Sequence, residues 1–291
     1  MNIIETHTAP LQKTPIRLQE YAVGIFTTIA TKSALKKAIK KKCLFVDGKL
    51  ATTATFINGY EVISYYPALE ANRSTSQKAA RKLLLNLEIV YEDDYLAIIN
   101  KPAGILSSGN AFKTVANALE QNLKKSKQVD AVQPQPVHRL DYPTTGLLMV
   151  GKTAASILAL NKLFEGKKIK KTYVAVTIGA MQRKGVIDFS VEGKEAISFY
   201  IVLKTVVSKR FQHLNLVQLS PKTGRRHQLR KHLTALGNPV LGDATYCISD
   251  LILKGKGLYL HAFSLEFIHP FTQEKMHVEK ELPLRFSKLF D

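Results

Sequence analysis

Residues 138–146 read HRLDYPTTG and run directly into the apolar stretch LLMV. Asp141 follows Leu140 and precedes Pro143 and Gly146, two turn formers, so the spacing predicts a carboxylate on a rigid loop that feeds a strand. Held there, a carboxylate can attack an electron-poor carbon or stabilise positive charge developing beside it. An aspartate ahead of a turn also has an ordinary use, as an Asx-turn or cap. A second pattern overlaps the first: GLLMVGKT at 146–153 satisfies the phosphate-loop spacing G-x-x-x-x-G-K-[ST]. A phosphate cradle needs a strand ahead of its first glycine and a flexible loop between the glycines, so that N–H groups converge on the anion. Strand formers Leu147, Leu148, Met149 and Val150 occupy that loop here, and the match is read as accidental.

Two other segments offer partners for the carboxylate. In 226–237, Leu229, Leu233 and Leu236 recur at helical spacing before Gly237, which predicts a helix with that face in the core. Arg230 lies about 100° around from Leu229, at the edge of the apolar stripe, where it could reach Asp141 or join its basic neighbours on a phosphate. A covered carboxylate needs such a cation, because burial alone raises its pKa. In KTYVAV, strand alternation sends Tyr173, Ala175 and Thr177 to one face and Val174 and Val176 to the other. Core packing is the usual fate of such a tyrosine.

The chain that positions these groups has 291 residues, 45% of them apolar, enough for one large domain or two with a real core. Its 42 Lys and Arg outnumber 23 Asp and Glu, a net charge of +19, which points to a polyanionic partner. No stretch approaches the ~20 apolar residues of a spanning helix, and the N-terminal residues lack a signal-peptide pattern, so a cytoplasmic protein is expected. Cys43 and Cys247 stand alone without a CxxC, so neither a disulfide framework nor a zinc site is indicated and two buried thiols are expected.

Along the chain, the pattern predicts short helices over 17–28 and 32–42, the second with Leu35, Ala38 and Ile39 on one face. That second helix carries Lys32, Lys36, Lys37, Lys40, Lys41 and Lys42 with no acid to offset them. A strand and an Asp47-Gly48 turn follow in CLFVDGK, then another strand in EVISYY. Residues 68–86 read as a polar, basic linker. Strand-like runs then dominate, LEIVYED, YLAIINK, LLMVG, TYVAVTI, ISFYIVL, HLNLVQL and LYLHAFSLEFI, with helices near 112–125, 153–165 and 226–236. KKSKQVDAVQPQP reads as a mobile loop. This irregular order predicts an α+β fold with a mixed, mostly antiparallel sheet flanked by helices.

Two helices, a basic second helix and a small hairpin with VDGK at 46–49 resemble the S4 RNA-binding domain over roughly residues 16–67. HRLDYPTTGLLMVGKT at 138–153, KKTYVAVTIG at 170–179 and TGRRHQLRKHLTALGNPVLGDATY at 223–246 resemble the signature blocks of the RluA-type pseudouridine synthases. LEIVYEDDYLAIINKPAG at 87–104 resembles the start of that family's catalytic domain. The chain is therefore expected to comprise an N-terminal tail (1–15), an S4-like domain (16–67), a linker (68–86) and a catalytic domain of pseudouridine synthase fold (87–291). Thr145, Arg226 and Lys231 depart from the family's more usual residues, which bears on positioning and target choice.

The resemblance implies an isomerisation of uridine within ribosomal or transfer RNA: N1–C1′ breaks, the base rotates, and C5 bonds to C1′. It implies Asp141 as the catalytic carboxylate, Arg230 as its ionic partner and Tyr173 as the active-site tyrosine against the uracil. Arg139 would enter the RNA stack where the target base has left, and His138 would order the loop rather than transfer protons. Lys36, Lys37 and Lys41 would contact phosphate. No cofactor and no metal are expected, and the protein is expected to act as a monomer on RNA. Two rival readings stand beside this one: an idle RNA-binding or ribosome-assembly factor, against which the retained Asp141, Tyr173 and Arg230 speak, and a phosphate-loop nucleotidase, which the strand formers disfavour.

Overall fold

The computed structural model describes residues 5–26, 29, 31–66, 83–247, 251–253 and 255–290, and the chain divides into two compact units, Met1–Lys82 and Leu83–Asp291. In the first unit, β1 (Glu5–Thr8), β2 (Ile16–Arg17), α1 (Leu18–Tyr21), α2 (Lys32–Lys40), β3 (Leu44–Val46), β4 (Lys49–Leu50), β5 (Phe56–Ile57) and β6 (Val62–Tyr65) follow one another. Four strands form a sheet in the order β1-β6-β3-β4, and β2 pairs with β5. The helix α2 is N-capped by Thr31, whose Oγ1 accepts from Ala34 N at 3.1 Å, and buries Leu35, Ala38 and Ile39 as its periodicity predicts. Lys32, Lys36, Lys37, Lys40 and Lys42 are exposed and Lys41 is half-buried. Asp47 and Gly48 both take positive φ, 48° and 73°, as the tight turn between β3 and β4 requires.

Two expectations change here. Residues 5–8 are not tail: β1 pairs with β6 from Glu5↔Tyr65 to Thr8↔Val62, satisfying an edge that would otherwise expose its N–H and C=O groups. Its sequence ETHT carries no apolar alternation, so backbone pairing rather than burial defines it. The first helix is also shorter than 17–28. It ends at Tyr21, ahead of Gly24 at φ 78°, and residues 27 and 28 of the expected span lie outside the described residues.

The second unit is α+β, with a mixed sheet as the sequence predicts. Its elements are β7 (Glu88–Glu92), β8 (Leu96–Lys101), α3 (Val115–Asn122), β9 (Ala131–Pro136), β10 (Thr145–Thr153), α4 (Ala154–Glu165), β11 (Lys170–Ile178), β12 (Lys184–Ile187), β13 (Ser198–Ser208), β14 (Gln212–Pro221), α5 (Gln228–Ala235), β15 (Leu260–Ile268), β16 (Lys275–Glu279) and α6 (Leu284–Ser287). The sheet runs β12-β13-β14-β11-β15-β10-β8-β7, with β16 on β15 and β9 on β10. Among the described residues, every ladder of this sheet is antiparallel except β10 with β15.

Of the expected linker, residues 68–82 lie outside the described residues, and residues 83–86 belong to this unit. Leu83 and Leu85 pack against the core that contains Leu119, and Asn122 Nδ2 donates to Leu85 O at 2.8 Å. The stretch read as a mobile loop contains β9, an edge strand whose prolines sit where a missing N–H is tolerated. Cys247 is half-buried, where the sequence predicts a buried thiol; Cys43 is buried. The phosphate-loop pattern lies inside β10, and its lysine, Lys152, is buried against Glu92 Oε1 at 2.7 Å. Among the described residues no helix is long and apolar enough to cross a membrane.

The single parallel contact fixes where the Asp141 loop enters the sheet. Gly146, at φ 110°, lies so close to β15 that a Cβ there would sit 2.3 Å from Ala262 O. Gly146→Ala must move two strands apart and strain its own backbone. We expect a loss of roughly 3 kcal/mol, or ~6–12 °C in Tm of the second unit, measured by thermal denaturation.

Candidate active site

The 138–145 loop is clamped from beneath. Lys101, at the end of β8 and wholly buried, donates from Nζ to Thr144 O at 2.8 Å, Pro102 O at 3.0 Å and Tyr142 O at 3.4 Å. Burial lowers its pKa to about 8, against the opposing pull of the Asp141 charge. Ser107 Oγ accepts from Leu140 N at 3.0 Å, and Gly104 N donates to Tyr142 O at 2.9 Å. Asp141 O accepts from Thr144 N at 3.1 Å, closing the turn. The Asp141 carboxylate then faces a cleft with 17% of its side chain exposed.

His138 does not point into chemistry. Its Nε2 accepts from Met149 N at 2.9 Å, its ring packs 4.7 Å from Phe164, and burial, with Lys171 nearby, pushes its pKa down to about 3. A neutral imidazole in that setting ties the loop to β10. Arg139, next to it, is exposed at the cleft.

Arg230 is buried on α5, whose Leu229 and Leu233 enter the core as their spacing predicts, whereas Leu236, expected on the same face, caps the helix and is exposed. Its guanidinium reaches Asp141, with Nη1 3.5 Å from Oδ2. Its principal partner is a different carboxylate: Nε and Nη2 donate to Asp243 Oδ2 at 2.7 Å and Oδ1 at 2.8 Å, a two-pronged pair. Asp243 Oδ1 also accepts from Thr245 N at 2.9 Å and Tyr246 N at 3.1 Å. Burial alone would raise the Asp243 pKa, but the Arg230 hydrogen bonds and charge and these N–H groups outweigh it and hold the carboxyl below its ordinary value. The Tyr246 ring covers the guanidinium, with Cζ 4.9 Å from its centroid.

His227, the residue before α5, adopts a left-handed conformation at φ 55°. That turn brings its ring between Tyr246 Oη, 2.8 Å from Nδ1, and Asp141 Oδ1, 3.7 Å from Nε2. Burial lowers its pKa despite the Asp141 charge. Gln228 anchors the same turn: its Oε1 accepts from Thr223 Oγ1 and Arg225 N, and its Nε2 donates to Ile197 O and Ser198 Oγ, at 2.8–3.0 Å.

Tyr173, on β11, lines the cleft beside Asp141 and packs against the core on either side. Burial and then the Asp141 charge push its phenol well above the usual tyrosine value, so it stays protonated. The cleft has a volume of about 810 Å³ and is lined by eight Lys and Arg side chains against two acids, Asp141 and Glu165. Such a cavity is within the size range of small-molecule sites and favours an anionic occupant. Among the described residues no group of three or more His, Cys, Asp or Glu side chains is arranged to hold a metal ion.

A family model described as RNA pseudouridylate synthase matches residues 95–235, a span that includes Asp141, Tyr173 and Arg230. The chain is 32% identical to ribosomal large subunit pseudouridine synthase D of Nitrosomonas europaea, over 87% of this chain and 77% of that protein. This chain belongs to the RNA pseudouridylate synthase family. It is an RNA pseudouridine synthase, an isomerase, of the RluA type. Ribosomal large subunit pseudouridine synthase C of Rickettsia conorii is 30% identical over 94% of this chain and 97% of its own length. tRNA pseudouridine synthase C of Vibrio vulnificus is 30% identical over 70% of this chain and 94% of its own. The solved structure of human RNA Pseudouridylate Synthase Domain Containing 4 superposes with a TM-score of 0.56 at 26% identity, covering 69% of this chain and 90% of that one.

Asp141, Tyr173, Arg230, His138 and Arg139 thus converge on one cleft of the synthase unit, while Lys36, Lys37 and Lys41 belong to the other unit. Sequence reasoning missed Lys101, Lys171, His227, Asp243 and Tyr246. Asp243 stands in the quoted block GNPVLGDATY, and an acid directly after Gly242 was the available signal.

The lowered pKa of Asp243 ties folding to pH through a defined window. A carboxylate held below its ordinary value contributes stability that is complete above about pH 4 and is lost as pH falls through the folded pKa. Asp243→Asn should cost roughly 3 kcal/mol at pH 7 by leaving a buried guanidinium with only its 3.5 Å contact to Asp141. In denaturation followed from pH 7 to pH 3, the gap between wild type and variant should narrow only below about pH 4.

Proposed function

We propose that the cleft isomerises uridines of ribosomal or transfer RNA, with Asp141 as the group that attacks C1′ or stabilises the charge developing there. The observation that carries this reading is the position of Asp141, with its Oδ2 3.5 Å from Arg230 Nη1 in a cationic cleft shared with Tyr173. In the reaction N1 leaves C1′, the freed base turns, C5 bonds to C1′, and the C5 proton is lost while N1 gains one. Atoms balance without water or a redox partner. Arg230 sets a fixed positive charge 3.5 Å from the carboxylate that is to attack, on the side away from its own Asp243 pair. Tyr173 offers a ring against the uracil, and its protonated phenol lies within the same cavity.

A uridine in a stacked helix must first be extruded, at a cost of roughly a few kcal/mol. Exposed Arg139, two residues before Asp141, is the group we assign to the vacated place, where a guanidinium can stack and meet phosphate together. His138 supports the substrate side by ordering that loop. Names of relatives for large-subunit ribosomal RNA and for tRNA support both target classes. We further propose that the first unit is an S4-like RNA-binding domain, supported by its basic α2 and its Asp47-Gly48 hairpin turn.

Asp141→Asn should abolish pseudouridine formation, read by chemical labelling of RNA treated with the purified enzyme, while RNA binding persists; substantial turnover would remove Asp141 from its role. Arg230→Leu should lose activity far beyond one phosphate contact, and adding it to Asp141→Asn should cost nothing more. Changing Lys36, Lys37 and Lys41 together to Gln should flatten the dependence of log K on log salt by about two units, at ~0.7 per single-strand contact. Turnover on saturating RNA should barely change, because contacts in another unit bind ground and transition states alike.

A further inference from the structure

Three cationic side chains buried in the synthase unit have their donors engaged. Lys101 holds three carbonyls, Lys152 holds Glu92, and Arg230 holds Asp243 and Asp141. Lys171, half-buried, differs. It lies two residues before Tyr173 on β11 and lines the cleft, and among the described residues its ammonium forms no ion pair and no hydrogen bond. Its Nζ lies 5.9 Å from the Phe164 ring centroid, and a Cβ added at Gly224, which lines the same cleft, would stand 3.9 Å from it. Burial pushes its pKa below the ordinary lysine value, and its charge depresses the pKa of His138 rather than being neutralised by it.

A half-buried ammonium with no anion beside it stabilises nothing in the fold, which leaves it open to another role. The cleft supplies one. Lys171 lines the same cavity as Tyr173, and the segment around the side-chain-free Gly224 brings Lys222, Arg225 and Arg226 to that cavity. We propose that Lys171 is the binding site for a backbone phosphate of the nucleotide whose base enters the cleft, with the space over Gly224 left for the phosphate oxygens. This assignment rests on the RNA reading of the same cleft. Bound phosphate would give the three ammonium donors acceptors and neutralise the charge, while fixing the ribose relative to Asp141. The contact is made in ground and transition states alike, so it acts on binding.

The test uses the full chain and a fluorescein-labelled, uridine-containing hairpin RNA, with affinity measured over a range of KCl concentrations and Tm measured in parallel. Lys171→Met keeps the stem and removes the charge. Its affinity should fall by about tenfold or more at low salt, its salt slope should lose about 0.7, and its Tm should equal or exceed that of wild type. Lys171→Arg should keep the slope. Unchanged affinity and slope in Lys171→Met would overturn the assignment. So would a fall in its Tm, which would make the lysine part of the folded framework. Neither readout depends on turnover, so failure of the isomerase reading would appear separately, as wild-type enzyme that binds the RNA and forms no pseudouridine.

Discussion

The geometry of the cleft depends on one buried ion pair. Arg230 commits Nε and Nη2 to Asp243, and only the remaining Nη1 faces Asp141. A guanidinium held by two parallel hydrogen bonds has little freedom left, so the third nitrogen is delivered to a fixed point in the cleft. Buried pairs of this kind are poor sources of net stability, since desolvation offsets much of their attraction. Their value here is positional. A reacting group misplaced by about 1 Å can lose a hundredfold in rate. The Asp141 loop is held against such displacement: Lys101, Ser107 and Gly104 fix it from one side while Arg230 meets its carboxylate from the other.

The sheet brings these two sides together. The Asp141 loop enters β10 at its parallel neighbour, β15, while Arg230 stands on the helix that follows β14. Between β14 and β15 lies β11, which carries Tyr173 and Lys171. Asp141 and Arg230, 89 residues apart in sequence, therefore meet because these central strands are adjacent. His227 and Tyr246 complete the second side, one through its left-handed turn and the other by covering the guanidinium face.

Much of this was legible in the sequence where burial writes a period. Leu229 and Leu233 mark α5, and alternation in KTYVAV places Tyr173 on its own face apart from Val174 and Val176. Strand formers between the glycines of GLLMVGKT predict β10, as observed. What stayed hidden lacks such a period. β1 is the polar run ETHT, defined by its partner's edge, and β9 contains two prolines that read as a loop. Asp243 and Lys101 act through donors and acceptors brought together by the fold, and neither residue type nor spacing encodes which partner each will meet. The helical position of Arg230 links it to Asp141, yet its stronger partner lies 13 residues downstream.

On our proposal, this cleft exchanges the N1–C1′ bond of uridine for a C5–C1′ bond using its own side chains. The most direct measurement is tritium release from RNA carrying uridine labelled at C5, with the purified full chain in EDTA and monovalent salt. One tritium should be released to water for each pseudouridine formed, with the RNA chain intact and no free uracil. Uracil liberated without tritium release, or binding of RNA with neither event, would contradict that proposal.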